Sequence, residues 1–243
     1  MTKILSVLCA LAVFLSLAGC RQETVSQPTD PVRTFVAGYE AENTSGRILL
    51  NLMADGTAEY YAGTLENGVH TTQRYSCTYT LGENADFDET IRITGEHGTA
   101  DGVIVDAMFD MALPGLDLGN LTFYETAPAA MDGDVYVGYL TKTSGMGPMA
   151  YAYALCLRDD ATFHVSIMQM ASVMHVWGAT AGTWQADGQQ ITFTYDVRTD
   201  EGELVAADET ALGSGFDGIF LEAAFHIQQN TMRASDARFI KVN

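Results

Sequence analysis

The sequence predicts an all-β protein: a duplicated antiparallel meander forming two small barrels. Three observations carry this. Runs of five to eight residues rich in Val, Ile, Thr, Tyr and Phe are separated by turn signals such as Asp55-Gly56 and Glu66-Asn67-Gly68. A series of features in the first half recurs in the same order in the second. Long helical periodicity is missing, and the one candidate, Asp208 to Gly213, is too short and too flanked by Gly.

Each copy opens on a Gly-Tyr strand, Phe35-Val36-Ala37-Gly38-Tyr39 and Val135-Tyr136-Val137-Gly138-Tyr139. An apolar strand and a polar turn follow: Ile48 to Leu52 with Asp55-Gly56-Thr57, then Tyr153 to Leu157 with Asp159-Asp160-Ala161-Thr162. Next come Ala58 to Tyr61 and Phe163 to Ile167, then Cys77-Thr78-Tyr79-Thr80 and Ala181-Gly182-Thr183-Trp184. Thr90 to Thr94 and Gln190 to Thr194 continue the order, and Leu121 to Tyr124 and Arg238 to Val242 close it. Tyr39 should therefore match Tyr139, and Tyr79 should match Trp184, the latter two mostly buried. Pro114-Gly115 marks a turn before the last strand of the first copy. In the run 103–110, Val103, Val105, Ala107 and Phe109 are expected inward on one strand. Asp106, Met108 and Asp110 would then face solvent.

These runs place β domains at 32–127 and 133–243, joined by the small, Pro-containing linker Ala127 to Gly133. One continuous large barrel or sandwich, with each copy supplying half, is the competing layout. The pattern Gly-Tyr, apolar strand, Asp-Gly-Thr, Gly-Thr-Trp, Ile-x-Phe resembles the lipocalin-like repeats of bacterial surface lipoproteins. The second copy carries it best, at Gly138-Tyr139, Gly182-Thr183-Trp184 and Ile191-Thr192-Phe193; Thr78-Tyr79-Thr80 departs from it. The resemblance implies a barrel or half-barrel fold and an apolar ligand, and no chemistry or cofactor.

The N-terminus points the same way. Met1-Thr2-Lys3 precedes the apolar run Ile4 to Ala18, which ends in Leu17-Ala18-Gly19-Cys20. That run is shorter than the roughly 20 residues a spanning helix needs. It resembles a bacterial lipoprotein signal peptide over residues 1–19. The resemblance implies cleavage before Cys20, whose thiol would carry the lipid, and export to the outer side of the bacterial membrane. Two acyl chains anchor stably where one holds marginally. Residues 20–31, rich in Gln, Thr, Ser, Glu, Asp and Pro, read as a disordered tether. Partners are then the membrane, through the anchor, and an envelope or extracellular protein or small ligand.

The formal net charge is −19, with 12 Lys and Arg against 31 Asp and Glu. Such a surface repels nucleic acid, and no basic cluster offers a footprint for it. In an exported protein disulfides are permitted. Cys77 and Cys156 would remain after processing, either bridged or as two buried thiols.

The densest site candidate is Met168, Met170, Met174, His175 and Trp177. Thioethers and an imidazole are soft ligands suited to Cu(I). The same residues would equally line an apolar pocket or fill a core. Asn84 to Glu89 starts like a calcium loop but lacks the sixth-position Gly, so a solvated turn accounts for it. Asp200 to Glu203 reads the same way. Five scattered His form no His-x-His or His-Glu-x-x-His, and no Gly-x-Ser-x-Gly occurs. The function expected is therefore non-enzymatic binding of a small apolar or envelope-derived ligand. The alternatives are a structural or protein-interaction module with filled barrels, and Cu(I) binding through the Met-rich strand.

Overall fold

The computed structural model describes residues 30–243 except 87, 145–146, 172–173, 188–189, 199–203, 207–224, 229–230 and 235–236. The signal segment, Cys20, most of the tether, the 208–213 candidate and the acidic run from Asp200 to Glu203 therefore lie outside the described residues.

The described chain is all-β and antiparallel, as expected. The first sheet comprises β1 (Arg33–Glu40), β2 (Thr44–Leu52), β3 (Thr57–Glu66), β4 (Val69–Glu83), β5 (Glu89–Gly95), β6 (Gly98–Ile104), β7 (Met108–Met111) and β8 (Leu121–Thr126). Its order is β6-β5-β4-β3-β2-β1-β8-β7, and the turn that leads from β6 into β7 closes on an isolated bridge between Val105 and Met108. The second sheet comprises β9 (Asp134–Ser144), β10 (Gly147–Leu157), β11 (Thr162–Ala171), β12 (Met174–Asp187), β13 (Gln190–Arg198), β14 (Leu204–Ala206), β15 (Phe225–Gln228), β16 (Thr231–Ala234) and β17 (Ala237–Lys241). Here β13 pairs with both β12 and β15, so the pairings from β12 through β9 and β17 return to their start.

Strand periodicity sorts the side chains. In β10 the large residues Tyr151, Tyr153, Leu155 and Leu157 point into the second sheet, where they meet Tyr136, Phe163, Val165, Ile191 and Phe239. The first sheet encloses Phe35, Leu50, Tyr60, Ile93, Phe109 and Phe123, with the Phe35 and Phe109 rings edge to face at 5.0 Å. The loop between β7 and β8 covers one end of this core. Leu113 is buried there, and Leu116 and Leu118 pack against the same cluster. The Tyr60 hydroxyl donates to the Pro114 carbonyl and the Tyr75 hydroxyl to the Gly115 carbonyl, the latter at 3.1 Å.

The opposite faces of the two sheets pack on each other. Ala150, Ala152, Ala154 and Cys156 of β10, with Val135, Val137 and Met168, meet Val36, Leu49, Tyr61 and Tyr124 of the first sheet. Small residues on β10 let the sheets approach closely. The linker belongs to this seam: Ala129 is buried, its N–H donates to the Thr34 hydroxyl at 3.0 Å, and the Ser166 hydroxyl donates to the Pro128 carbonyl at 2.8 Å. Small residues read from sequence as a spacer are also those that fit between two sheets.

The turns at Asp55 and Asp160 share one geometry. Asp55 accepts from the Thr57 N–H and hydroxyl at 2.9 and 2.6 Å; Asp160 accepts the same pair from Thr162 at 3.0 and 2.6 Å. The Tyr79 hydroxyl donates to the Met53 carbonyl at 2.9 Å, and the Trp184 indole N–H to the Arg158 carbonyl at 3.2 Å. Both rings are half-buried.

The run 103–110 departs from expectation. Asp106 and Ala107 have φ of 52° and 62°, which turns the chain between β6 and β7. One strand becomes two. Ile104 is buried instead of Val103 and Val105, which are exposed, while Phe109 is buried as expected. Asp-Ala lacks the Gly that usually announces such a turn.

Candidate functional site at the seam between the sheets

The seam is apolar along its middle and ends in a polar cluster. Leu49 faces the second sheet, and period two puts Arg47 on the same face of β2. Its side chain is 1% exposed, yet all five N–H groups have acceptors. Nε donates to the Arg238 carbonyl at 3.2 Å. Nη1 donates to the Tyr39 and Gly46 carbonyls at 3.2 and 2.8 Å. Nη2 donates to the Glu40 carboxylate at 2.5 Å and the Tyr139 carbonyl at 3.5 Å. Arg47 thus ties the second sheet's backbone to the first. Gly63 stands beside it in β3 as its cross-strand partner.

Glu40 lies between two guanidiniums. It accepts from Arg47 and the Ser45 hydroxyl, and Arg238 Nη1 stands 3.8 Å away while donating to Ser45 at 2.6 Å. Burial alone would raise the Glu40 pKa. The hydrogen bonds from Ser45 and Arg47, with both positive charges, outweigh it and hold the carboxyl below the usual range. Burial pulls the Arg47 pKa down against the opposing pull of Glu40.

Tyr139 flanks this cluster. Its ring lies 5.9 Å from that of Tyr124, and burial pushes its hydroxyl pKa upward. Gly38 leaves room for it: a Cβ there would stand 2.7 Å from the Tyr139 ring. Together Gly38, Tyr39, Glu40, Arg47, Tyr139, Leu140, Thr141 and Arg238 line a cleft of about 480 Å³. A second cavity of about 300 Å³ shares Tyr39 and Arg47 and continues to Thr64, Gln73 and Leu116 over the first sheet's mouth.

The residues singled out in sequence lie elsewhere. Met168 is 4% exposed in the seam core, and Met170 packs against that core. Backbone register sets Met168 opposite Trp177, Met170 opposite His175, and Ala171 opposite Met174. The side chains of Met174, His175 and Trp177 lie outside what is described. Phe193 packs into the second sheet's interior, so it and Met168 occupy opposite faces and share no cavity. Among the described residues no group of three or more His, Cys, Asp and Glu could hold a metal ion. In the acidic turn, Asn84 Oδ1 accepts from the Asp86 and Asp88 N–H groups at 2.9 Å each, and Glu89 pairs with Arg33 at 2.8 Å. These side chains organise the turn itself.

Cys77 and Cys156 are both free, which excludes the bridge; Cys156 is buried, but Cys77 is only half-buried rather than buried as the other reading expected. The Cys77 thiol donates to the Ala58 carbonyl at 3.2 Å and the Cys156 thiol to the Asp132 carboxylate at 3.6 Å. Burial pushes their pKa values up to about 11 and about 12. Both thiols should resist neutral iodoacetamide in the folded protein and react together on unfolding, read by mass spectrometry. Rapid labelling of the native state would contradict the burial.

Sequence reasoning missed Glu40, Arg47 and Arg238. The available signal was Arg47 itself, a lone cation leading into Ile48-Leu49-Leu50 in a cation-poor chain. No protein-family model, curated protein or solved structure matches the chain.

Proposed function

We propose that this protein is a non-enzymatic bacterial envelope lipoprotein, anchored through Cys20, that recognises an envelope-derived ligand in the cleft between its two sheets. The cleft carries the reading: about 480 Å³ lined by Tyr39, Glu40, Arg47, Tyr139 and Arg238. That volume lies within the range of about 300–1,000 Å³ usual for ligand sites, which favour domain interfaces. The large side chains inside each sheet argue against a ligand held inside a barrel. The recurring Asp-Thr turns and the Tyr79 and Trp184 hydrogen bonds support descent from a duplicated unit.

Native mass spectrometry of the mature chain in detergent, with soluble fragments released from the cell envelope, tests the ligand. Wild type should carry an adduct. Thr141→Trp, at the exposed rim, should lose it without unfolding. No adduct on a folded wild type would overturn the cleft reading. It would favour the second reading, a structural or protein-interaction module, which the same filled interiors support. Cu(I) titration separates the metal alternative: a tight site lost in Met168→Leu plus Met170→Leu would establish it. Cys20→Ala should leave the precursor unprocessed or release it from the membrane.

A further inference from the structure

Resting on the cleft reading, we infer that the ligand is a sugar acid whose carboxylate is taken by Arg238. The cluster holds two guanidiniums, Arg47 and Arg238, and one carboxylate, Glu40. One positive charge is therefore left over in a chain whose formal charge is −19. Arg47 cannot supply the contact, because its five N–H groups are already used within the protein. Arg238 can. Its Nη1 holds Ser45, its distance to Glu40 is a long 3.8 Å, and its Nε and Nη2 have no partner among the described residues. Its side chain is 28% exposed at the cleft wall.

Glu40 shows that this pair of guanidiniums accepts a carboxylate. It already sits between them, with its own pKa held down by Ser45, Arg47 and Arg238. A second carboxylate on Arg238 would neutralise the remaining charge through the planar fork that suits carboxylates. The rest of the cleft selects a hydroxylated body over a hydrocarbon one. Five of the eight lining residues carry polar side chains on the seam face: Glu40, Arg47, Tyr139, Thr141 and Arg238.

The test titrates the full mature chain in detergent with glucuronate, glucose and acetate, followed by calorimetry. Glucuronate should bind, glucose should not, and acetate should bind more weakly than glucuronate. Arg238→Gln should weaken glucuronate at least tenfold, and added salt should weaken the wild-type interaction. Because Arg238 also holds Ser45, Thr141→Glu provides a second variant: a negative charge at the exposed rim should reduce glucuronate binding without touching a core contact. Equal binding of glucose and glucuronate, or unchanged binding in Arg238→Gln, overturns the carboxylate assignment. So does a folded wild type that ignores glucuronate. In each case an envelope-fragment adduct that Thr141→Trp abolishes would leave the cleft reading standing, and its absence would remove both.

Discussion

Replacing Arg47 by Ala should destabilise the fold by several kcal/mol, because each buried acceptor left unsatisfied costs about 1–3 kcal/mol. Urea denaturation of the mature chain measures it. The side chain is 1% exposed and serves four backbone carbonyls and Glu40. Truncation leaves those acceptors facing a void at the end of the seam. Arg92 is the control, since its pair with Asp101 is exposed on both sides at 62% and 61%; Arg92→Ala should leave the midpoint unchanged. The same cluster sets an acid dependence. The folded Glu40 pKa lies below its ordinary 4.5, so its contribution is complete above about pH 4.5 and fades as pH falls through the lower folded value. Glu40→Gln should flatten that part of the stability–pH curve. An Arg47→Ala protein as stable as wild type would show that the clamp contributes nothing.

Gly63→Val should destabilise by about 3 kcal/mol, at the upper end of overpacking effects, and should open the seam. A Cβ at Gly63 would overlap the Lys241 carbonyl oxygen, a backbone atom of the other sheet that cannot swing aside. The same carbonyl lies 2.8 Å from His70 Nε2, so displacing it disturbs a second tie between the sheets. Gly63 is also the strand neighbour of Arg47. Val here therefore disturbs the clamp and the seam together. Because the sheets share one core, wild type should melt in a single calorimetric transition. Two well-separated transitions would show that the halves fold independently and that the seam is weak.

The strands were legible because period two survives in the letters. Ala150-Tyr151-Ala152-Tyr153-Ala154-Leu155 already separates a large face from a small one. What the alternation withheld was what the small face touches: Ala alternating with Tyr suits a solvent face, a ligand or another sheet equally well. The linker misled for a related reason, since Ala and Pro serve both as spacers and as filler in a tight seam. The turn at Asp106-Ala107 was hidden because Ala107 takes a positive φ that alanine seldom adopts. The Met-rich stretch stood out through residue type alone, but burial decides what a Met does. Met168 ended up in packing.

The sequence by itself determined the all-β class and the turns marked by Asp-Gly, Asn-Gly and Pro-Gly, because these follow from nearest-neighbour preferences and side-chain alternation. Tertiary structure alone decided that the two sheets share a core and that the thiols stay apart. It also decided that Glu40, Arg47 and Arg238 meet. Arg47 and Arg238 come from strands far apart in the chain, and only the packing of one sheet on the other brings them to one cleft. No local pattern encodes a contact whose two sides are chosen by which faces remain to be buried.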